Sequence, residues 1–125
     1  MANEIGSFVP DNLFGGDFPV VTSPETILSG AGSLARGAVL GRVTASGKLV
    51  LVNSAGTDDG RRTPYGILLE AVDATSADKP AAVALSGEFN SSKLVFGGTD
   101  TAATHKAALR DLNIYIKPNM AAVIA

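Results

Sequence analysis

The chain has 125 residues, enough for one domain of the usual ~100–150 residues and for one hydrophobic core. Hydrophobic residues make up 46% and charged residues 18%, below the usual ~25%, so the chain is not disordered for want of apolar material. The formal net charge is −2 and ten basic residues are scattered, with one adjacent pair at Arg61-Arg62 beside Asp58-Asp59, which argues against the clustered cations of a nucleic-acid binder. There is no cysteine, hence no disulfide framework and no thiolate metal site. The mean hydropathy of +0.24 is high for a small soluble monomer and points toward apolar surface buried against a partner.

Residues 1–24 read as an irregular arm. Pro10, Pro19 and Pro24 interrupt regular structure and Gly15-Gly16 loosens the chain. There is neither the basic start of a signal peptide nor the unbroken apolar run of a spanning helix, so no membrane partner is expected. Yet the arm is apolar, with Phe8, Phe14 and Phe18 set among Ile5, Val9, Leu13, Val20 and Val21. Two readings stand: the arm packs on its own domain, or it orders only on a partner, as segments that fold on binding do.

Residues 25–125 form the domain proper. Residues 38–43 and 48–53 are apolar runs separated by Thr44-Ala45-Ser46-Gly47, which predicts a hairpin with a four-residue loop. Residues 54–63 are a loop rich in Gly and Asp. Residues 65–72 read as a strand, 74–80 as a polar loop and 81–90 as one strand. Val83, Leu85, Gly87 and Phe89 fall on one face of that strand; Ala82, Ala84, Ser86 and Glu88 fall on the other. A short strand is expected at 93–96. Thr99 or Asp100 caps a single helix over 101–111, whose apolar stripe is Ala102, His105, Leu109 and Leu112. Residues 113–116 read as a closing strand, stopped by Pro118, before an apolar tail.

No catalytic, cofactor or metal residues emerge. The segment from Gly41 to Leu49 misses the phosphate-loop spacing, with five residues between its glycines and Leu49 where the hydroxyl belongs. Gly30-Ala31-Gly32-Ser33-Leu34-Ala35 matches the dinucleotide pattern, but a strand rather than a helix follows it. His105, the one histidine, sits on the helix stripe away from any nucleophile motif and reads as structural. One histidine without cysteine does not make a conventional zinc site. Asp58-Asp59-Gly60 lacks the spaced oxygens of a calcium loop and reads as a turn.

The order of segments carries a resemblance. Ala35-Arg36-Gly37-Ala38-Val39-Leu40-Gly41 precedes the hairpin ending Lys48-Leu49-Val50. Then follow Pro64-Tyr65-Gly66-Ile67-Leu68, Ser86-Gly87-Glu88-Phe89-Asn90 and an Ala-rich helix leading into Ile114-Tyr115-Ile116. Over about residues 25–117 this resembles the lambda-type head decoration proteins of tailed bacteriophages. The resemblance implies a mainly β (α+β) fold with one short helix, a compact β-barrel or β-tulip-like domain with an extended N-terminal arm. It implies a non-enzymatic structural protein without cofactors, a homotrimer on three-fold sites outside the expanded head, made in the bacterial cytoplasm and carried on the virion. It also implies an arm that binds the major capsid protein, here through Phe8, Val9, Pro10, Leu13, Phe14, Phe18, Pro19 and Val20. The tail beyond Lys117 departs from the family pattern. The competing expectation is a small ligand- or carbohydrate-binding β-barrel, which wants an apolar pocket and exposed aromatics. An enzyme built on a spatial carboxylate pair finds no positive signal in the chain.

Overall fold

A computed structural model describes Leu13 and residues 19–117. Nine strands are present among these residues: β1 (Thr22–Ile27), β2 (Gly32–Leu34), β3 (Val39–Arg42), β4 (Leu49–Leu51), β5 (Pro64–Leu68), β6 (Val72–Ala74), β7 (Lys79–Ala84), β8 (Gly87–Asn90) and β9 (Ile114–Lys117). One α-helix, α1 (Ala102–Asp111), lies between the last two strands. The mainly β fold with one short helix is therefore what the sequence predicts. Five strands close into a barrel in the order β1-β4-β3-β5-β7, β2 pairs with β6, and β8 pairs in parallel with β9. A parallel pair needs a crossover, and α1 supplies it.

The barrel explains why its strands carry adjacent apolar residues instead of simple alternation. Neighbours point to opposite faces of a strand. Leu40, Leu68 and Val83 join Ile27 and Leu49 in one buried cluster that fills the barrel. Their neighbours Val39, Ile67 and Ala84 join a second cluster with Phe89, Leu109, Ile114, Ile116 and Leu13. Both faces of these strands are thus covered, as near-continuous apolar runs require. The second cluster glues α1 and the β8–β9 pair to the barrel wall.

The predicted hairpin forms with Leu40 opposite Leu51 and Arg42 opposite Leu49. Its four-residue loop is closed by the Val43 N–H to Lys48 carbonyl bond at 2.8 Å, and Gly47 supplies the positive φ of 73°. At Gly60, φ is +113° and a Cβ would run into the Arg42 carbonyl and Thr44 Oγ1, so glycine is required there.

The structure differs from the sequence reading at several places. First, β1 runs through Pro24, so regular structure begins before residue 25. The Leu85 N–H donates to the Val21 carbonyl at 2.7 Å, which by alternation puts the ladder bonds at 23–83 and 25–81. Pro24 opposite Ala82 is then a non-hydrogen-bonded position where no N–H is needed. The Ala82 N–H and carbonyl turn the other way, to the Glu70 carboxylate at 2.8 Å and the Leu69 N–H at 3.0 Å.

Second, the expected strand over 65–72 is two strands, interrupted around Glu70. Third, the strand over 81–90 breaks at Leu85-Ser86, because Gly87 takes a φ of +147° and re-aims β8 toward β9. Fourth, residues 93–96 carry only a bridge from Val95 to Ala38, after a 3₁₀ turn at Ser91–Lys93. The helix begins one residue later than expected, with Thr101 as its N-cap. The Thr101 N–H donates to Thr104 Oγ1 at 3.0 Å, while Asp100 is used elsewhere.

Candidate interaction surface

The N-terminal path is fixed at two points beside β8. The Leu13 carbonyl accepts from the Asn90 N–H at 2.7 Å, and the Leu13 side chain is 1% exposed in the second core. Further on, the Ser86 hydroxyl donates to the Pro19 carbonyl at 2.9 Å and accepts from the Val21 N–H at 3.1 Å. Leu13 thus lies beside Asn90, and Pro19 to Val21 lie beside Leu85 and Ser86. Of the eight residues expected in the arm's contact set, Leu13 is buried against its own domain, while Pro19 and Val20 are exposed. Phe8, Val9, Pro10, Phe14 and Phe18 lie outside the described residues.

Val20 and Val21 are 40% and 55% exposed, and Val95 and Leu112 are the other large hydrophobic residues exposed among the described residues. Val20 lies over β8: its Cγ2 is 3.3 Å from where a Cβ on Gly87 would stand. An exposed valine pair at the root of an apolar segment is surface that a partner can cover. Sequence pattern places Val20 and Val21 in the arm but gives no sign that Ser86 tethers them.

The second place where polar groups converge is the start of α1. The Asp100 carboxylate accepts from the Ser54 hydroxyl at 2.5 Å and the Ser54 N–H at 2.7 Å, and pairs with His105 Nε2 at 2.7 Å. The side chains of His105 and Asp100 are 4% and 5% exposed, and the imidazole stacks on Phe96 with ring centroids 5.7 Å apart. The Ser54 hydrogen bond, and after it the His105 contact, holds the Asp100 carboxyl down to about 2. Serine, histidine and aspartate thus meet, but in the wrong order for a nucleophile. A catalytic triad places histidine between serine and aspartate, where it takes the serine proton. Here aspartate is in the middle and accepts from both, so the histidine does not contact the serine and the contacts lock the hairpin end to the helix. The expectation of a structural His105 agrees with this geometry.

Among the described residues no group of three or more His, Asp or Glu side chains is placed to hold a metal ion, and no helix is long and apolar enough to cross a membrane. The barrel interior is filled by its own side chains, with Ile27, Leu40, Leu49, Leu68 and Val83 fully buried. What the arrangement offers chemically is contact surface. The family model described as bacteriophage lambda head decoration protein D matches residues 6–115. The chain belongs to that family. It is a head decoration protein of a phage capsid, a structural component of the virion. The family match takes in the barrel, α1, part of β9 and most of the apolar N-terminal segment. No curated protein matches the chain.

Proposed function

We propose that this decoration protein binds the outside of the expanded phage head as a homotrimer at three-fold sites and stabilises the shell against the pressure of packaged DNA. Its partners are two further copies of itself and the major capsid protein, which it meets after synthesis in the bacterial cytoplasm. The observation that carries this reading is the family match across residues 6–115. The match includes the segment bearing Phe8, Val9, Pro10, Phe14 and Phe18 as well as the folded domain.

The physical logic is anchoring. Leu13 fastens the segment to the domain, so its side chain acts by tethering and the contacts fall to the aromatic residues on either side and to Pro19 and Val20. Burying one aromatic side chain contributes roughly 1.5–3 kcal/mol. Ordering a backbone residue costs about 1–2 kcal/mol, so a single short arm binds weakly. Three arms on one trimer act at high effective concentration, and avidity then exceeds single-arm affinity by ~10²–10⁴.

The test is to add the purified chain to expanded, undecorated heads and to image the product, with the native mass of the free protein measured in parallel. Density at three-fold sites on the outer surface, a trimer mass and a raised disruption temperature of the heads are expected. Density elsewhere, or heads no more stable than before, would defeat the proposal.

A further inference from the structure

The β1–β7 ladder stops just where the N-terminal segment joins the barrel, and one side chain carries it on. Thr22 lies opposite Ala84 in this antiparallel pair, so continuing the register sets Val21 opposite Leu85 and Pro19 opposite Gly87. The Leu85 N–H donates to the Val21 carbonyl at 2.7 Å, which makes 21–85 a bonded position. A regular ladder would next join the Val21 N–H to the Leu85 carbonyl and the Gly87 N–H to the Pro19 carbonyl. Instead Gly87, at a φ of +147°, turns the chain toward β9 and gives its N–H to the Asn113 carbonyl at 3.1 Å.

Ser86 stands in for both missing partners. Its hydroxyl accepts from the Val21 N–H at 3.1 Å and donates to the Pro19 carbonyl at 2.9 Å. A hydroxyl can do both at once, because it carries one donor and two lone pairs. Pro19 has no N–H, so its ladder position asks for the carbonyl bond alone. Ser86 is 8% exposed, whereas Pro19, Val20 and Val21 are exposed, so the tether lies inside and what it holds lies outside. Val20 is bracketed between the two bonds. A Cβ on Gly87 would stand 3.3 Å from Val20 Cγ2 and 3.0 Å from Phe89 Cε2, so glycine there leaves room for both side chains.

We infer that Ser86 is a positioning residue for head binding: its hydroxyl fixes Pro19 to Val21 as extended backbone in the free protein, so that Pro19 and Val20 meet the shell already ordered. The inference rests on the capsid-binding reading, in which Pro19 and Val20 belong to the contact set, and adds to it a residue outside that set. Ser86 touches the segment and not the shell. What it supplies is pre-organisation, since ordering that is complete before association no longer opposes it.

The experiment compares wild type, Ser86→Ala, Val20→Ser and the double variant. Loss of one oxygen lets the exposed Val21 N–H and Pro19 carbonyl turn to water, so Ser86→Ala should fold, and circular dichroism checks this. Amide exchange of the free protein reads the tether directly. The Val21 amide should exchange about tenfold faster in Ser86→Ala, while those of Val52 and Leu68, bonded to the Val39 and Ala38 carbonyls, stay unchanged. Binding to expanded, undecorated heads should be about tenfold weaker for Ser86→Ala at a temperature where both chains are folded. A serine that merely ended β7 would lower the Tm and leave the binding of the folded chain alone. In the Val20→Ser background, Ser86→Ala should weaken binding by a smaller factor than in wild type, because the side chain it positions has already lost its contact. Three outcomes each overturn the inference while the capsid reading stands: unchanged Val21 exchange, wild-type binding by folded Ser86→Ala, or an equal factor in both backgrounds. Wild-type chain that fails to bind heads at all is a different result, and removes the capsid reading itself.

Discussion

The two cores of this domain are built differently. The barrel core joins strands that are mostly neighbours in the hairpins or in the antiparallel ladder, and its residues Ile27, Leu40, Leu49, Leu68 and Val83 all lie in barrel strands. The second core joins parts distant in sequence: Leu13, the outer faces of β3 and β5, Phe89, Leu109 of the helix and Ile114 of the last strand. Among the described residues, only this second core includes a residue of the N-terminal segment, Leu13. The barrel makes the domain, and the second core connects the domain to the segment proposed to meet a partner. That contrast separates substitutions that harm folding from substitutions that harm function.

The sharpest way to break the contrast is to empty each core in turn. Phe89→Ala should cost about 3–5 kcal/mol and Leu49→Ala about 2–5 kcal/mol, since both side chains are fully buried. Urea unfolding followed by both far-ultraviolet and tyrosine signals measures this. Coincident transitions with unchanged slope are expected for both variants, because the strands share their two faces between the cores. Separate transitions would mean that the cores are independent.

Leu13→Ala should cost about 2–5 kcal/mol, toward the lower end for a side chain contributed by a segment outside the strands. Its distinguishing effect is on binding: loosening the anchor should weaken attachment to heads even at a temperature where the domain remains folded. Unchanged binding by a folded Leu13→Ala chain would remove the anchoring role.

Asp100→Asn probes the lock between the hairpin end and α1. The folded-state value of Asp100, about 2, lies below the ordinary 3.8, so its contribution to stability is present above about pH 4 and is lost as pH falls toward 2. Asp59, Asp73 and Asp78 are lowered as well, by Arg61, Thr75 and Lys48 respectively, so acid sensitivity is shared. The variant should have a lower Tm at pH 7 and a smaller drop in Tm between pH 4 and pH 2 than the parent. Thermal melts at the three pH values test this, and an equal acid drop in both proteins contradicts it. The smallest stability effect belongs to Val20→Ser: at an exposed position it should stay within about 0.5 kcal/mol, while binding to heads falls.

The parts most legible in the sequence are those decided by local pattern. The hairpin at 38–53 has its loop written as Thr-Ala-Ser-Gly, the helix has its Ala-rich run, and Ile114-Tyr115-Ile116 closes on β8; of the expected helix stripe His105 and Leu109 are buried, while Leu112 lies past the helix end and is exposed. What pattern hid were positions settled by partners far away. Pro24 reads as a strand breaker, yet it fits β1 because its missing N–H falls at a non-bonded pair. Gly87 reads as one more residue of a continuous strand, yet its positive φ turns the chain from the barrel into the second sheet. Asp100 reads as a helix cap, yet Ser54 and His105 hold its carboxylate. Leu13 reads as one of eight contact residues, and no local signal separates it from Val9 or Phe14. Only the packing against Phe89 and its neighbours gives it a different task.

The measurement that bears most directly on the central claim is head binding by a chain lacking residues 1–12. This truncation keeps Leu13, Pro19 to Val21 and all of β1, whereas removal through Pro24 would strip half of β1 and damage the barrel. The account predicts an unchanged Tm and binding to expanded, undecorated heads weakened more than tenfold. A truncated chain that folds and binds as tightly as the full one would contradict it.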